Sequence, residues 1–509
     1  MTRRSAAAGL VLVLAAGGLV TALRLGAQSF WIDEAITLVP VTQARDAADL
    51  LARVRTIDTQ PPASHALLYS LRRLLPHDEF GWRLPSFLAV EAGVLLLALL
   101  GGRLYGAAGL FWTGLGAQIS PYLLFYAMEA RNYALWFLAL ALAAYAMTRC
   151  LQAIAARDPV PSVATWAVVW TAANVLGLWT HLFHVFALLA QGVILAGLAL
   201  ALRPPRRIAR TCALVFAASL GASLLLFLPW VVTVTQGQAL ARGVGWRRPL
   251  SASGFLYFPF ALFFGFSFGP DLRELHERPP REILAAHPLP LLLGAAALLV
   301  LMAGLGSCLR QARRAGDPPA GVLYLLAPAA GLLGPALYVL ARDFPLVPRH
   351  LMFLWPLVPL FQAALATHRP RFRFVVAAIV CLQGVAAFNL LFDPVYAKDD
   401  ERGAIRFAED RSGARPVILG DAAPLYVTRG LALMKTYVDP KSAVVLDSAA
   451  TDLWLVDNRP WEDPGGNVRD KTGQAAERLG LLPAENEERF RGLVLRHWRR
   501  AVTDGKETR

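Results

Sequence analysis

Residues 129–150 read EARNYALWFLALALAAYAMTRC, and this stretch decides the fold. Charged and polar residues come first, followed by a run of apolar side chains that continues to Met147. An α-helix needs about 20 predominantly apolar residues to cross the hydrocarbon core of a bilayer. The stretch therefore predicts a membrane-spanning helix with Glu129 and Arg131 at one end.

The same pattern recurs along the chain of 509 residues, of which 56% are hydrophobic and 17% charged, with a mean hydropathy of +0.46. Soluble domains are nearer half apolar and a quarter charged. Apolar stretches of spanning length lie near 6–27, 83–101, 106–124, 132–150, 164–181, 182–202, 208–230, 288–309, 320–341, 350–367 and 373–392. The first is expected to be a retained span, because it lacks a convincing signal-peptide cleavage site. We predict an all-α polytopic membrane protein with about 11 transmembrane helices.

The formal net charge of +14 is carried by arginines in short runs between the apolar stretches. This is the positive-inside pattern of cytoplasmic loops, and it argues against a nucleic-acid partner. The runs are Arg103, Arg149–Arg157, Arg203–Arg210, Arg310–Arg314 and Arg369–Arg373. The longer loops 28–82 and 231–287, together with the C-terminal tail, are then expected on the outer side of the membrane.

Two modules are predicted, a transmembrane catalytic module over 1–392 and a small extracytoplasmic α/β domain over 393–509. The second begins where the composition turns polar near Phe392. It contains β-prone runs at 416–420 and 443–446 and helical patterns at 400–411 and 473–480.

Three segments between the spans are expected to be helices at the membrane surface. Residues 44–54 and 62–75 have apolar residues at helical spacing with charges between them. Residues 251–269 are aromatic and apolar, but a span there would move two of the basic runs to the outer side. An interfacial or re-entrant helix is predicted instead.

Adjacent carboxylates, Asp33 and Glu34, follow the first span in the sequence Phe30-Trp31-Ile32-Asp33-Glu34-Ala35. Acidic side chains close to lipid are costly to keep, and this indicates a function. The alternative is an ordinary solvated pair in a loop. A carboxylate here is suited to take the proton of an attacking hydroxyl.

Two arginines at outer helix ends oppose the positive-inside trend. Arg131 lies in Glu129-Ala130-Arg131-Asn132-Tyr133, and Arg349 lies in Arg349-His350. A lipid phosphate is one candidate anionic partner. Internal ion pairs, with Glu129 for the first arginine and Asp343 for the second, are the other.

His181 and His184 lie at another outer boundary, three residues apart. They are interpreted either as hydrogen-bond donors to a phosphate or sugar, or as ordinary buried histidines. A metal site would need further ligands that the sequence does not select. No cofactor is required, and a divalent metal is admissible but not indicated.

At these residues the chain resembles bacterial relatives of the dolichyl-phosphate-mannose–protein mannosyltransferases, the glycosyltransferase family 39-like proteins of the GT-C superfamily. The likeness covers roughly 30–390. Its motifs, in order, are Phe30-Trp31-Ile32-Asp33-Glu34-Ala35, Gln60-Pro61-Pro62, Arg83-Leu84-Pro85-Ser86, Ser120-Pro121, Glu129-Ala130-Arg131-Asn132-Tyr133-Ala134-Leu135, Thr180-His181, Pro229-Trp230 and Arg349-His350-Leu351.

The resemblance implies an integral membrane glycosyltransferase of the GT-C type that uses a polyprenyl-monophosphate-sugar donor. It implies an inverting reaction on the extracytoplasmic face, with Asp33 as the general base and Glu34 beside it. The acceptor would be an envelope glycolipid, glycan or protein. Donor phosphate or sugar contacts would come from Arg131, Arg349, His181, Glu129, Tyr133 and His65.

His65 marks a departure from the family, because relatives usually have Pro-Pro-Leu-Tyr-Tyr where this chain has Pro61-Pro62-Ala63-Ser64-His65. The preference for donor or acceptor is therefore expected to differ. The alternative function is a polytopic transporter or flippase for an envelope glycolipid. The sequence disfavours it, since ionisable residues cluster at outer helix ends and no internal repeat is found. A non-catalytic assembly factor is a third alternative.

Overall fold

The computed structural model describes residues 2–58, 60–202, 205–236, 252–315, 347–368, 370–413, 415–429, 431–433, 448, 450–457, 467–484 and 487–500. The predicted span at 320–341, Asp343 and the β-prone run at 443–446 lie outside these residues. The chain divides into two compact units. The first contains Met1–Leu25, Ala44–Pro76 and Phe80–Tyr396, and the second contains Gly26–Gln43, His77–Glu79 and Ala397–Arg509.

The helices and strands are numbered in chain order. The helices are α1 (Arg3–Arg24), α2 (Ile32–Gln43), α3 (Ala47–Ile57), α4 (Ala63–Leu71), α5 (Glu79–Gln118), α6 (Pro121–Ala127), α7 (Asn132–Ala156), α8 (Val160–Thr180), α9 (His184–Leu202), α10 (Arg206–Gln236), α11 (Ala252–Phe264), α12 (Leu272–Glu277), α13 (Pro280–Ala286), α14 (Pro288–Ala315), α15 (Leu357–His368), α16 (Arg373–Phe392), α17 (Glu401–Arg411), α18 (Ala423–Tyr426) and α19 (Asn467–Arg478). Short 3-10 helices lie at Pro348–Leu354, Pro370–Phe372 and Pro394–Tyr396. The strands are β1 (Pro416–Leu419), β2 (Leu431–Leu433), β3 (Asp452–Asp457), β4 (Leu481–Pro483), β5 (Glu488–Phe490) and β6 (Leu493–Arg500).

The first unit is built from apolar helices of membrane-spanning length. Among the described residues, 6 helices are long and apolar enough to cross a membrane, or up to 8 if each of two bent pairs is one span. The bent pairs are Pro280–Ala286 with Pro288–Val300, at 97°, and Pro348–Leu354 with Leu357–Thr367, at 51°. The predicted multi-pass membrane protein is confirmed, whereas the predicted number of about 11 spans is not.

Helix α5 consists of two helices that fold back on each other at Gly106. Gly106 has φ 71° and ψ −159°, which a residue with a side chain rarely adopts. A Cβ atom on Gly109 would clash with the carbonyl oxygen of Gly101. Further from the turn, Gln118 donates to Glu91 across 2.8 Å. Residues at similar distances before and after the turn thus contact each other, as in an antiparallel hairpin. This agrees with the separate stretches predicted at 83–101 and 106–124.

The segments predicted as surface helices are helical. The first two correspond to α3 and α4, and Asp46 caps α3 by accepting from the Asp49 N–H at 2.8 Å. The third, predicted at 251–269, corresponds to α11, which has 13 residues. A helix of that length extends about 20 Å, which is shorter than the hydrocarbon core. It therefore does not add a span on its own.

The second unit contains a mixed sheet with strand order β2-β1-β3-β6-β4, and β5 also pairs with β6. β1 is parallel to β2 and β3, whereas β6 is antiparallel to β3. Successive side chains point to opposite faces. Ile418 and Trp454 pack with α17, while Val417 and Leu453 pack with Ala476 of α19. The predicted small C-terminal α/β domain is confirmed, including its helices near 400–411 and 473–480.

Candidate active site

The acidic pair lies in the first turn of α2, in the second unit. Negative side chains are favourable there, because the backbone N–H groups of a helix N-terminus carry partial positive charge. The two carboxylates nevertheless differ in environment. Glu34 is completely buried, whereas Asp33 is half-buried.

Glu34 is neutralised by a lysine from the distant end of the chain. Lys398 Nζ donates to Glu34 Oε2 at 3.1 Å, and the two side chains are 8% and 0% exposed. The ammonium group also lies 5.4 Å from the centre of the Trp31 ring. The ion pair is charge-assisted and shielded from water, so it fixes the position of the glutamate.

A second group of polar contacts holds the segment that precedes α2. Glu79 Oε1 accepts from Arg402 Nη1 at 2.9 Å and from the Tyr426 hydroxyl at 2.7 Å. The Tyr426 hydroxyl in turn accepts from the backbone N–H of Phe30 at 2.6 Å. Ser29 donates to Asp400 at 3.3 Å. The approach to the acidic pair is thus fixed by side chains of the C-terminal domain.

In the first unit, Arg131 lies at the start of α7 and its Nη1 donates to Asp58 Oδ2 at 3.4 Å. Both side chains are 8% exposed. The other oxygen of Asp58 accepts from the backbone N–H of Gln60 at 2.9 Å. The sequence suggested Glu129 as an acidic partner of Arg131, and the structure adds Asp58. Glu129 is itself buried, and its charge acts on Tyr126.

His65 lies on α4 beside the same carboxylate, with Nε2 3.9 Å from Asp58 Oδ2. Its side chain is 1% exposed. Burial lowers the pKa of His65 to about 4, and the Arg131 charge lowers it as well, against the opposing effect of Asp58. Within the described part of the chain, neither ring nitrogen has a hydrogen-bond partner. His65 is therefore a neutral, buried imidazole at pH 7.

Tyr133 and His181 extend this cluster. The Tyr133 ring lies 5.9 Å from Arg131 Cζ and 5.6 Å from the His181 ring. The His181 ring stacks on that of Trp136, with 3.9 Å between the ring centres and an angle of 5° between the planes. His181 Nδ1 accepts from the Phe183 N–H at 3.1 Å, so the hydrogen of the neutral ring is on Nε2. Nε2 is buried and has no hydrogen-bond partner among the described residues. It is a donor suited to an anion or a hydroxyl.

His184 differs from His181. It accepts from Trp136 Nε1 at 3.0 Å, and its other ring nitrogen lies 3.1 Å from Asn174 Oδ1. Both ring nitrogens are therefore used by the protein. Of the two histidines singled out in the sequence, His184 has the structural role.

Arg349 lies in the 3-10 helix Pro348–Leu354. The Tyr122 hydroxyl donates a hydrogen bond to the Pro348 carbonyl oxygen at 2.9 Å. The next residue, His350, stacks on Phe183 at 4.9 Å and 5°. The charge of Arg349 acts on His181, as does that of Arg131. The His350 ring lies 6.3 Å from the His181 ring, which places Arg349 next to a neighbour of His181.

Comparisons with known proteins give a result only at the level of three-dimensional structure. No family model matches the chain, and no curated protein matches it. ArnT from Cupriavidus metallidurans in the apo state has 13% identity and a TM-score of 0.58, over 97% of this chain and 98% of that one. ArnT from the same organism bound to undecaprenyl phosphate has 14% identity and a TM-score of 0.54, over 96% and 97%. The chain therefore has the fold of ArnT.

The oligosaccharyltransferase AglB from Archaeoglobus fulgidus, solved with an inhibitory peptide and a dolichol-phosphate, has 11% identity and a TM-score of 0.49. The match covers 97% of this chain and 74% of that one. The likeness to the two ArnT structures confirms, for the fold alone, the class that the sequence motifs predicted.

Several of the predicted donor-site residues of the first unit lie close to one another. His65 and Arg131 share the Asp58 carboxylate, Tyr133 lies between Arg131 and His181, and Arg349 acts on His181. Asp33 and Glu34 belong to the second unit. No group of three or more His, Cys, Asp or Glu suited to a metal ion occurs among the described residues.

Asp58 and Lys398 were not predicted from the sequence. Asp58 could have been suspected, because it lies two residues before the Gln60-Pro61-Pro62 motif. Lys398 gives no local signal, since it is 364 residues from its partner Glu34.

Proposed function

We propose that this protein is an integral membrane glycosyltransferase. It transfers a sugar from a polyprenyl-monophosphate-sugar donor to an envelope glycolipid, glycan or protein. The reaction takes place at the extracytoplasmic face of a bacterial inner membrane. It is inverting, and Asp33 is the general base.

One observation carries this proposal: two adjacent carboxylates lie in the first turn of α2, and they differ in accessibility, because Glu34 is completely buried and Asp33 is half-buried. Lys398 balances Glu34 at 3.1 Å, and Asp33 is the half-buried member of the pair. A general base must reach its substrate and be ionised at the working pH. Asp33 has the accessibility that this role requires, and Glu34 does not.

The cationic cluster of the first unit supports binding of the donor phosphate. Arg131 and Arg349 supply charge, and His181 Nε2 supplies a buried neutral donor. A guanidinium group can form two parallel hydrogen bonds to phosphate oxygens. A similar solved structure, ArnT from Cupriavidus metallidurans, contains undecaprenyl phosphate.

In the proposed reaction the acceptor hydroxyl loses its proton to the Asp33 carboxylate as its oxygen attacks the anomeric carbon. The bond from that carbon to the phosphate oxygen breaks, and the electron pair leaves with the polyprenyl phosphate. The configuration at the anomeric carbon inverts, because attack and departure occur on opposite faces. Arginine charge stabilises the leaving phosphate as negative charge develops on it.

The test is the envelope of a deletion strain, analysed sugar by sugar against the parent. We expect one sugar to be lost, to be restored by the wild-type gene and not to be restored by Asp33→Asn at equal membrane abundance. An unchanged envelope would overturn the proposal. If the sugar is lost in the deletion strain but restored by Asp33→Asn, the proposal of a transferase stands. The assignment of Asp33 as its general base is then wrong.

A further inference from the structure

Lys398 is an unusual lysine, because its side chain is 8% exposed and its charge is matched by a carboxylate that is 0% exposed. Lysine is almost never buried unless it is paired. Removing one partner of such a pair leaves an uncompensated charge in a dry environment, which is strongly unfavourable. The contact between Lys398 and Glu34 therefore resists rearrangement.

The backbone around Lys398 is held as firmly as its ammonium group. Its N–H donates to Gln28 Oε1 at 3.2 Å, and its carbonyl accepts from Arg491 Nε at 3.0 Å. Gln28 lies in the segment before α2, whereas Arg491 lies between β5 and β6. Lys398 thus connects the strands of the C-terminal domain to the turn that carries the acidic pair.

Glu34 and Asp33 are consecutive residues in one helical turn. Side chains of consecutive helical residues diverge by about 100° around the axis, so fixing the direction of one determines the direction of the other. The ion pair of Glu34 therefore restrains the helical turn from which the Asp33 side chain projects.

We propose that Lys398 is a positioning residue for catalysis, through which the C-terminal domain holds Asp33 in the orientation that takes the acceptor proton. This rests on the proposed function. It assigns Glu34 a supporting role and gives the soluble domain a part in the transfer step.

A purely structural ion pair would stabilise the domain without affecting chemistry, so the variants must separate the two roles. Lys398→Met removes the charge and leaves Glu34 buried without its cation. Glu34→Gln combined with Lys398→Met removes both charges and restores a neutral interior. Lys398→Arg keeps the charge, and Lys471→Met changes a lysine on α19 of the same unit as the matched control.

Two quantities are measured on the full-length protein. The first is transfer in cells, taken as the envelope sugar restored to the deletion strain per molecule of inserted protein. The second is the affinity of each purified variant for undecaprenyl phosphate. We expect Lys398→Met to lower transfer roughly tenfold to a hundredfold, while affinity stays within about twofold, because a misdirected base affects chemistry rather than binding.

The double variant should recover at least about tenfold over Lys398→Met, because the two changes act on one buried pair and are not additive. Lys398→Arg should retain most of the transfer, and Lys471→Met all of it. Wild-type transfer in Lys398→Met would overturn the proposal. So would a parallel loss of affinity and transfer that the double variant does not repair, since that pattern indicates unfolding alone.

A third measurement keeps the inference separate from the proposed function. If the wild-type gene restores no sugar, the transferase proposal fails. Hydrogen exchange of the backbone amides at 31–37 then decides whether Lys398 positions this turn. Faster exchange in Lys398→Met than in Lys471→Met would show that Lys398 positions this turn whatever the chemistry. Equal exchange would show that it does not.

Discussion

Two charged clusters of this protein differ in their contacts. The acidic cluster contains Asp33, Glu34 and Lys398, and the arginine cluster contains Arg131, Asp58, His65 and His181. In the second unit, Lys398 Nζ and Glu34 Oε2 are 3.1 Å apart. In the first unit, Arg131 Nη1 lies 3.4 Å from Asp58 Oδ2, and His65 Nε2 lies 3.9 Å from the same oxygen. Charge-assisted hydrogen bonds between nitrogen and oxygen are usually about 2.7–2.9 Å long.

The difference separates a cluster that holds the backbone from one that binds a ligand. Buried polar groups normally find partners within the protein, and a fully satisfied network makes its surroundings rigid. Among the described residues, His65 and His181 retain buried ring nitrogens without partners. We infer that the Lys398–Glu34 ion pair is satisfied within the protein itself, and that the arginine cluster is completed by the donor phosphate.

The largest expected effect is that of Asp33→Asn. The change keeps the shape of the side chain but removes the base, so transfer should fall by about a hundredfold to ten-thousandfold. Glu34→Gln should reduce transfer less, because it acts through Lys398 rather than on the substrate. Transfer is measured by complementation of the deletion strain, with membrane abundance as the control. Near-normal transfer by Asp33→Asn would mean that the roles of the two clusters are wrongly assigned.

Donor affinity should respond to the arginine cluster. We expect Arg131→Ala, Arg349→Ala or both to weaken undecaprenyl phosphate binding by roughly tenfold to a hundredfold, which is the usual worth of a hydrogen bond to a charged group. The corresponding lysine variants should recover only part of this, because lysine lacks the planar pair of donors.

The matched control for these arginines is Arg157→Ala, since Arg157 is exposed and follows the cytoplasmic end predicted for α7. Its affinity should equal that of the wild type. Unchanged affinity in both Arg131→Ala and Arg349→Ala would show that neither arginine contacts the phosphate. A lowered melting temperature with normal affinity would identify an ion pair that serves stability alone.

The sequence predicts those parts of the molecule whose signals are local. Spans follow from runs of apolar residues, the hairpin in α5 from the gap around Gly106, and the C-terminal domain from a change in composition. The acidic pair and Arg131 stand out because charges beside apolar helices are costly.

The partners of these charges could not be predicted, because they depend on distant contacts. Lys398 meets Glu34 across 364 residues, and Asp58 meets Arg131 across 73. Composition at Lys398 is that of any polar segment after a span. The distinction between Asp33 and Glu34 is a consequence of the first of these contacts, so the residues alone could only place them side by side.

A pH-dependent effect is expected from His65. Its pKa is about 4 in the folded protein and near 6.5 when unfolded, so the unfolded chain binds the extra proton between these values. The contribution of His65 to the free energy of unfolding is fully present above pH 6.5. It is lost as the pH falls toward 4, by about 3 kcal/mol in total. His65→Gln should flatten that part of the curve of unfolding free energy against pH. An unchanged slope would mean that His65 is protonated or exposed in the folded state.

The smallest effect is expected from Asp58→Asn, and its sign is informative. If the Asp58 carboxylate only balances Arg131 until a phosphate binds, the two anions repel each other in the complex. Removing the carboxylate charge should then tighten undecaprenyl phosphate binding by about threefold to tenfold, equivalent to roughly 1 kcal/mol. Stability should fall at the same time, since the arginine loses its anion. Glu34→Gln is the control, because it removes a carboxylate from the acidic cluster and should leave affinity unchanged. If Asp58→Asn instead weakens binding as much as Arg131→Ala does, Asp58 orients the guanidinium. The first unit would then contain a positioned ion pair like that of Lys398, and the contrast between the two clusters would not hold.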